Sequence, residues 1–97
     1  MLFALDVNKI IAICRQHDVA WLGVFGSVAR GEATEESDVD LLARFAKPIS
    51  LLSHIAVENQ LADALGRKVD LVTEDALSPY IREQVMRDLK VIYKAVV

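Results

Sequence analysis

Asp38 and Asp40 stand one residue apart, with Val39 between them and Leu41-Leu42 following. On an extended strand, residues i and i+2 project from one face, with side chains rooted roughly 6–7 Å apart. Two carboxylates so placed repel unless a cation lies between them, and oxygen-only ligands suit Mg2+ or Mn2+ rather than zinc. Exposed acids at a strand start are common, but Asp40 sits inside an apolar run. Asp70 repeats that setting within Val69-Asp70-Leu71-Val72. Three carboxylates on one sheet face would be strongly destabilising without metal. With metal they match a two-ion arrangement, the ions ~3.5–4 Å apart. Gly26-Ser27 is the remaining piece, set directly after an apolar run. A strand turning into a helix there offers free backbone N–H groups to an anion. Gly26 lets a phosphate approach without a Cβ in the way, and the Ser27 hydroxyl can donate one further hydrogen bond. A lone Gly-Ser is equally an ordinary helix cap. Combined with the aspartates, it points to chemistry on a nucleoside triphosphate.

The elements that must position these groups follow from periodicity. Asp6 can cap a helix over residues 7–17, with Ile10, Ile11, Ile13 and Cys14 facing inward. Residues 20–25 read as a buried strand, which Gly26 ends. Ser27 begins a short helix that stops near Gly31, and residues 32–37 form a polar loop. Over 38–45 the chain alternates: Val39, Leu41, Ala43 and Phe45 point one way, and Asp38, Asp40, Leu42 and Arg44 the other. Pro48 and Ser50 announce a helix over 51–65, with Gly66 as its C-terminal stop. Residues 68–73 form a third strand with Lys68 and Asp70 on one face. Ser78-Pro79 opens a last helix over 79–94, its inward stripe being Ile81, Val85, Leu89 and Ile92. The expected architecture is α+β in two layers. A small mixed sheet has helices packed on one face, and a more open opposite face carries the aspartates.

Ninety-seven residues, 54% of them hydrophobic, are expected to form one domain over 1–97 and to leave apolar surface for a partner. The formal charge of −3 lacks the basic footprint of a duplex-binding protein, so direct nucleic-acid binding is not expected. A single cysteine, Cys14, excludes an internal disulfide and suits a reducing compartment. The opening residues are too short an apolar stretch for a signal peptide, and no run approaches the ~20 apolar residues of a membrane span, so a cytoplasmic location is expected. The apolar ending Ala95-Val96-Val97 hints at a covered terminus.

Gly26-Ser27-Val28-Ala29-Arg30-Gly31 followed by Ser37-Asp38-Val39-Asp40-Leu41 resembles the signature of the DNA polymerase beta-type nucleotidyltransferase superfamily. The short length and the Arg-Gly after the serine resemble its minimal nucleotidyltransferases from bacteria and archaea. The similarity extends to Val69-Asp70-Leu71-Val72 and to Ser78-Pro79-Tyr80-Ile81. The resemblance implies a polymerase beta palm-like fold in which Gly26 and Ser27 hold the triphosphate. It implies that Asp38 and Asp40 hold two Mg2+ ions, and that Asp70 binds the catalytic metal and helps deprotonate the attacking hydroxyl. Arg30 falls in the family's arginine slot, supporting the phosphate loop or reaching a partner. Members of the minimal family are commonly antitoxins that transfer AMP from ATP onto a tyrosine of an adjacently encoded HEPN-domain ribonuclease toxin.

Two other functions fit the same residues. One is an antitoxin that neutralises its partner by occlusion, without needing catalysis. The other is transfer to a small molecule, with a pocket built between subunits of an oligomer. Arg44 and Lys68 would lie on the catalytic face, pairing with the triphosphate or screening the acids. Arg82, Arg87, Lys90 and Lys94 make a solvated face or a docking surface. Trp21, Phe25 and Phe45 read as core, and His17 and His54 as structural or exposed. Glu32, Glu35 and Glu36 beside the site would discourage an RNA acceptor and favour a protein.

Overall fold

The computed structural model describes residues 5–95. Residues 1–4, the expected non-signal leader, and Val96-Val97 of the apolar ending lie outside them. Helix α1 (Val7–Gln16) starts where Asp6 accepts the Lys9 N–H at 3.2 Å. Strand β1 (Val19–Phe25) passes directly into the short α2 (Gly26–Arg30), and β2 (Val39–Phe45) follows the acidic loop. Helix α3 (Leu51–Leu65) runs between the two signals read from the sequence. Ser50 accepts the Ser53 N–H, and Gly66 closes the helix at φ +64°. After β3 (Val69–Thr73) come a short 3-10 turn (Glu74–Ala76), α4 (Pro79–Asp88) and β4 (Lys90–Lys94).

The sheet order is β3-β2-β1-β4. Strand β1 pairs antiparallel with β2 and with β4, and β2 pairs parallel with β3. One face packs on α1 and α3, burying Ile10, Cys14, Leu22, Val24, Val39, Leu41, Ala43, Val57, Leu61 and Leu71. Burial raises the Cys14 thiol to about 11, so it acts as a small apolar side chain. No helix among the described residues is long and apolar enough to cross a membrane.

Two expectations about the last quarter of the chain are corrected. The final helix stops at Asp88 rather than running to 94, and Leu89 turns out of it at ψ 127°. Residues 90–94 are strand, because Val91-Ile92-Tyr93 favours extended backbone and β1 has an edge to offer. Ile92 therefore joins the main core from the sheet, not from a helical stripe, and Ile81 remains 50% exposed. Nor does α4 join the other helices. It lies across the opposite face, where Leu42, Leu77 and Val85 form a second cluster with Trp21, Phe25, Val72 and Leu89. Gly23 makes room for this: a Cβ there would run into the Leu89 side chain and stand 3.2 Å from the Lys90 carbonyl. What stays open on that face is the end that carries the aspartates.

Candidate functional site

Three strands bring the chemistry to one end of the sheet. Antiparallel register sets Phe25, the last residue of β1, opposite Asp40, and parallel register sets Asp40 opposite Asp70. Gly26 follows Phe25 at once, with φ +72°, a value that favours glycine. The turn tightens further along: Gly31, also left-handed, donates its N–H to the Val28 carbonyl, and the Glu32 N–H reaches the Ser27 carbonyl at 2.9 Å. Val28 and Ala29 are buried, which fixes α2 against the sheet.

Alternation along β2 works as read. Val39 and Leu41 enter the main core, while Asp40 faces the α4 side and is half-buried. Val69 and Leu71 are buried and Asp70 is exposed. Burial holds the Asp40 carboxyl above its ordinary value, with Asp70 and Asp38 adding to the rise and Arg30 opposing it. Asp40 thus feels both of the other aspartates. The donor set is oxygen-only and mutually repulsive, which is what a hard divalent cation relieves. Among the described residues, no three acidic, histidine or cysteine side chains already close on one point. Asp38 turns instead toward Lys68, with Nζ 3.9 Å from Oδ2. That pair is exposed and weak, so it holds Asp38 in place only loosely.

The cations divide between two tasks. Lys68 screens the acids through Asp38, whereas Arg44 is occupied elsewhere, donating to Glu74 at 2.8 Å and lying 5.6 Å from the Trp21 ring centre. Arg30 donates to Asp88 Oδ2 at 2.6 Å and to Glu32 Oε1 at 3.0 Å. It ties α2 to the end of α4. Arg82 also reaches Glu74, at 3.6 Å.

Sequence reasoning missed two supports of the site. Arg67 donates to the Ser37 carbonyl at 2.7 Å and to that of Thr34, holding the loop that leads into Asp38. His54 and Glu58 of α3 bond to the backbone of β3 beside Asp70. The i, i+4 spacing of the second pair was visible, but nothing in the sequence places it against a strand.

Comparison with known proteins bears on the family and the fold. The profile of the family described as Polymerase beta, Nucleotidyltransferase matches residues 8–95. A Thermococcus cleftensis protein named protein adenylyltransferase MntA is 47% identical over 68 residues, covering 70% of this chain and 69% of that one. The crystal structure of a toxin–antitoxin with AMP-PNP superposes with a TM-score of 0.81 at 28% identity, covering 94% of this chain and 75% of that one. A complex of tri-AMPylated Shewanella oneidensis HEPN toxin with MNT antitoxin superposes with a TM-score of 0.72 at 26% identity, over 94% of this chain and 71% of that one.

Proposed function

Because this chain belongs to the polymerase beta nucleotidyltransferase family, we propose that it is a protein adenylyltransferase that transfers AMP from ATP to a tyrosine hydroxyl of a HEPN-domain toxin, and so acts as its antitoxin. The observation that carries this reading is the alignment of the Gly26 turn, Asp40 and Asp70 across three adjacent strands. Backbone N–H groups and Ser27 hold the triphosphate, and Gly26 keeps the approach clear. Asp38, Asp40 and Asp70 would hold Mg2+, two ions by the family resemblance. Divalent cations supply charge neutralisation on the phosphates and the leaving pyrophosphate. The acceptor oxygen attacks the α-phosphorus in line: the new P–O bond forms, the bond to the β-phosphate bridge breaks, and pyrophosphate leaves. Asp70, on the edge strand, takes the hydroxyl proton. Catalysis is chiefly positioning, because phosphoryl chemistry asks little covalent work of the protein.

Asp70 stands exposed at one end of the sheet, so an acceptor can reach it and supplies most of its own binding surface. Leu51 and Leu52, 74% and 80% exposed, and Ile81 add apolar surface suited to a protein partner. The test is the intact mass of the protein encoded by the adjacent reading frame, co-expressed with this chain or with Asp38→Asn. Added AMP units that require the unmodified chain are expected. An unchanged mass in both, with the proteins still co-purifying, would replace modification by occlusion.

A further inference from the structure

We propose that His54 and Glu58 are positioning residues for Asp70, acting through the backbone of Leu71; the proposal rests on the reading of Asp70 as a working carboxylate. Among the described residues, strand β3 is an edge strand, bonded to β2 on one side only. The Val39 N–H donates to the Lys68 carbonyl at 2.9 Å, so Lys68 and, two residues on, Asp70 turn their backbone groups toward β2. Leu71 turns its groups to the free side, where an edge strand ordinarily meets water or another chain.

Here α3 occupies that side. Glu58 Oε2 accepts the Leu71 N–H at 2.8 Å, and His54 Nε2 lies 2.7 Å from the Leu71 carbonyl, to which it donates. The two side chains stand one helical turn apart, so they span both polar groups of one residue. Both contacts are part-buried, and Val57 between them is buried in the core, anchoring α3 to the sheet. Asp70 is thus bracketed: its own backbone faces β2 and its neighbour's is clamped by α3. Its side chain is exposed and depends on that backbone for its direction. Only β3 among the three site strands needs such help, because β1 and β2 are paired on both sides.

A merely protective role for the clamp would cost stability alone. Positioning also costs rate and metal affinity, since supports behind a ligand typically change affinity 10–100-fold. The experiment compares Glu58→Leu, Glu58→Gln and Val57→Ala in the full chain. Glutamine keeps an acceptor for the Leu71 N–H, and alanine at 57 loosens α3 without touching the clamp. Mn2+ binding is titrated in the presence of AMP-PNP, and AMP transfer is measured on the adjacent-frame protein below the melting temperature of every variant. Glu58→Leu is expected to weaken Mn2+ binding and lower kcat by about tenfold each, with KM for ATP within about twofold, Glu58→Gln largely restored and Val57→Ala near wild type. Unchanged Mn2+ binding and kcat in Glu58→Leu, or equal losses in Val57→Ala, overturn the proposal. Wild-type chain that binds Mn2+ in a Glu58-dependent way but transfers nothing removes the acceptor reading and leaves the positioning intact. Wild-type chain that binds no Mn2+ overturns both.

Discussion

Gly26 lies against the carboxylate of Asp40. A Cβ at position 26 would stand 3.2 Å from Asp40 Cγ, and closer still to Oδ2. The turn at Gly26 and the strand that carries Asp40 therefore share one contact, and only hydrogen fits between them. Gly26→Ala meets two penalties, left-handed strain of about 1–2 kcal/mol and displacement of the Asp40 carboxylate. Gly31 has nearly the same φ, +74°, with open space around its Cβ position. Gly31→Ala should lose similar stability and keep AMP transfer, while Gly26→Ala should lose transfer by a hundredfold or more. Thermal melts beside transfer rates decide it: equal rates in the two variants would remove the contact from the mechanism.

Asp40 also sets a pH dependence. Burial, then Asp70 and Asp38, raise its carboxyl above the ordinary 3.8. The folded chain keeps this proton at pH values where the unfolded chain has released it. Stability from this group is therefore present at low pH and falls as pH rises through that window. Asp40→Asn removes the ionised group, so the metal-free variant should melt above wild type at pH 7. The gap should close as pH falls below 3.8. Added Mg2+ should stabilise wild type and not the variant. Parallel melting curves across pH would contradict the assignment.

How far the sequence alone reaches depends on the range of the signal. Helix α3 could be read to the residue, because Ser50 and Gly66 act on their own neighbours. The faces of Asp40 and Asp70 followed from alternation, a property of extended chain. The end of α4 did not follow, since Ile81, Val85, Leu89 and Ile92 keep helical spacing even though the last of them sits in a strand. What decides is the vacant edge of β1 and the space above Gly23, both remote in sequence. His54 and Glu58 were opaque for the same reason: their partner, Leu71, is reached only after the chain turns at Gly66.

Leu42 gives the second cluster a measurable weight. It is fully buried and lies on the Asp40 face, beneath α4. Leu42→Ala should cost about 2–5 kcal/mol in denaturant unfolding. It should also raise hydrogen exchange in α4 more than in α3, whose packing lies on the other face. Equal exchange in both helices would mean that α4 is not held by this cluster.

Arg30 was expected to support the phosphate loop or to reach a partner, and its bonds run to Asp88 and Glu32. Its guanidinium is divided between Asp88 at 2.6 Å and Glu32 at 3.0 Å, so it fastens the C-terminal end of α2 to the end of α4. If that link is its task, Asp88→Asn should reproduce Arg30→Gln, with both lowering the melting temperature and weakening transfer. The double variant should then be no worse than Arg30→Gln alone, since the two changes break the same bond. If Arg30 instead meets the triphosphate directly, Arg30→Gln should raise KM for ATP while Asp88→Asn leaves it unchanged. The geometry favours the first outcome, because the better-shielded partner, Asp88 at 16% side-chain exposure, would lose its counter-charge with Arg30. A full double-mutant cycle, read both as melting temperature and as KM for ATP, separates the two roles within four proteins.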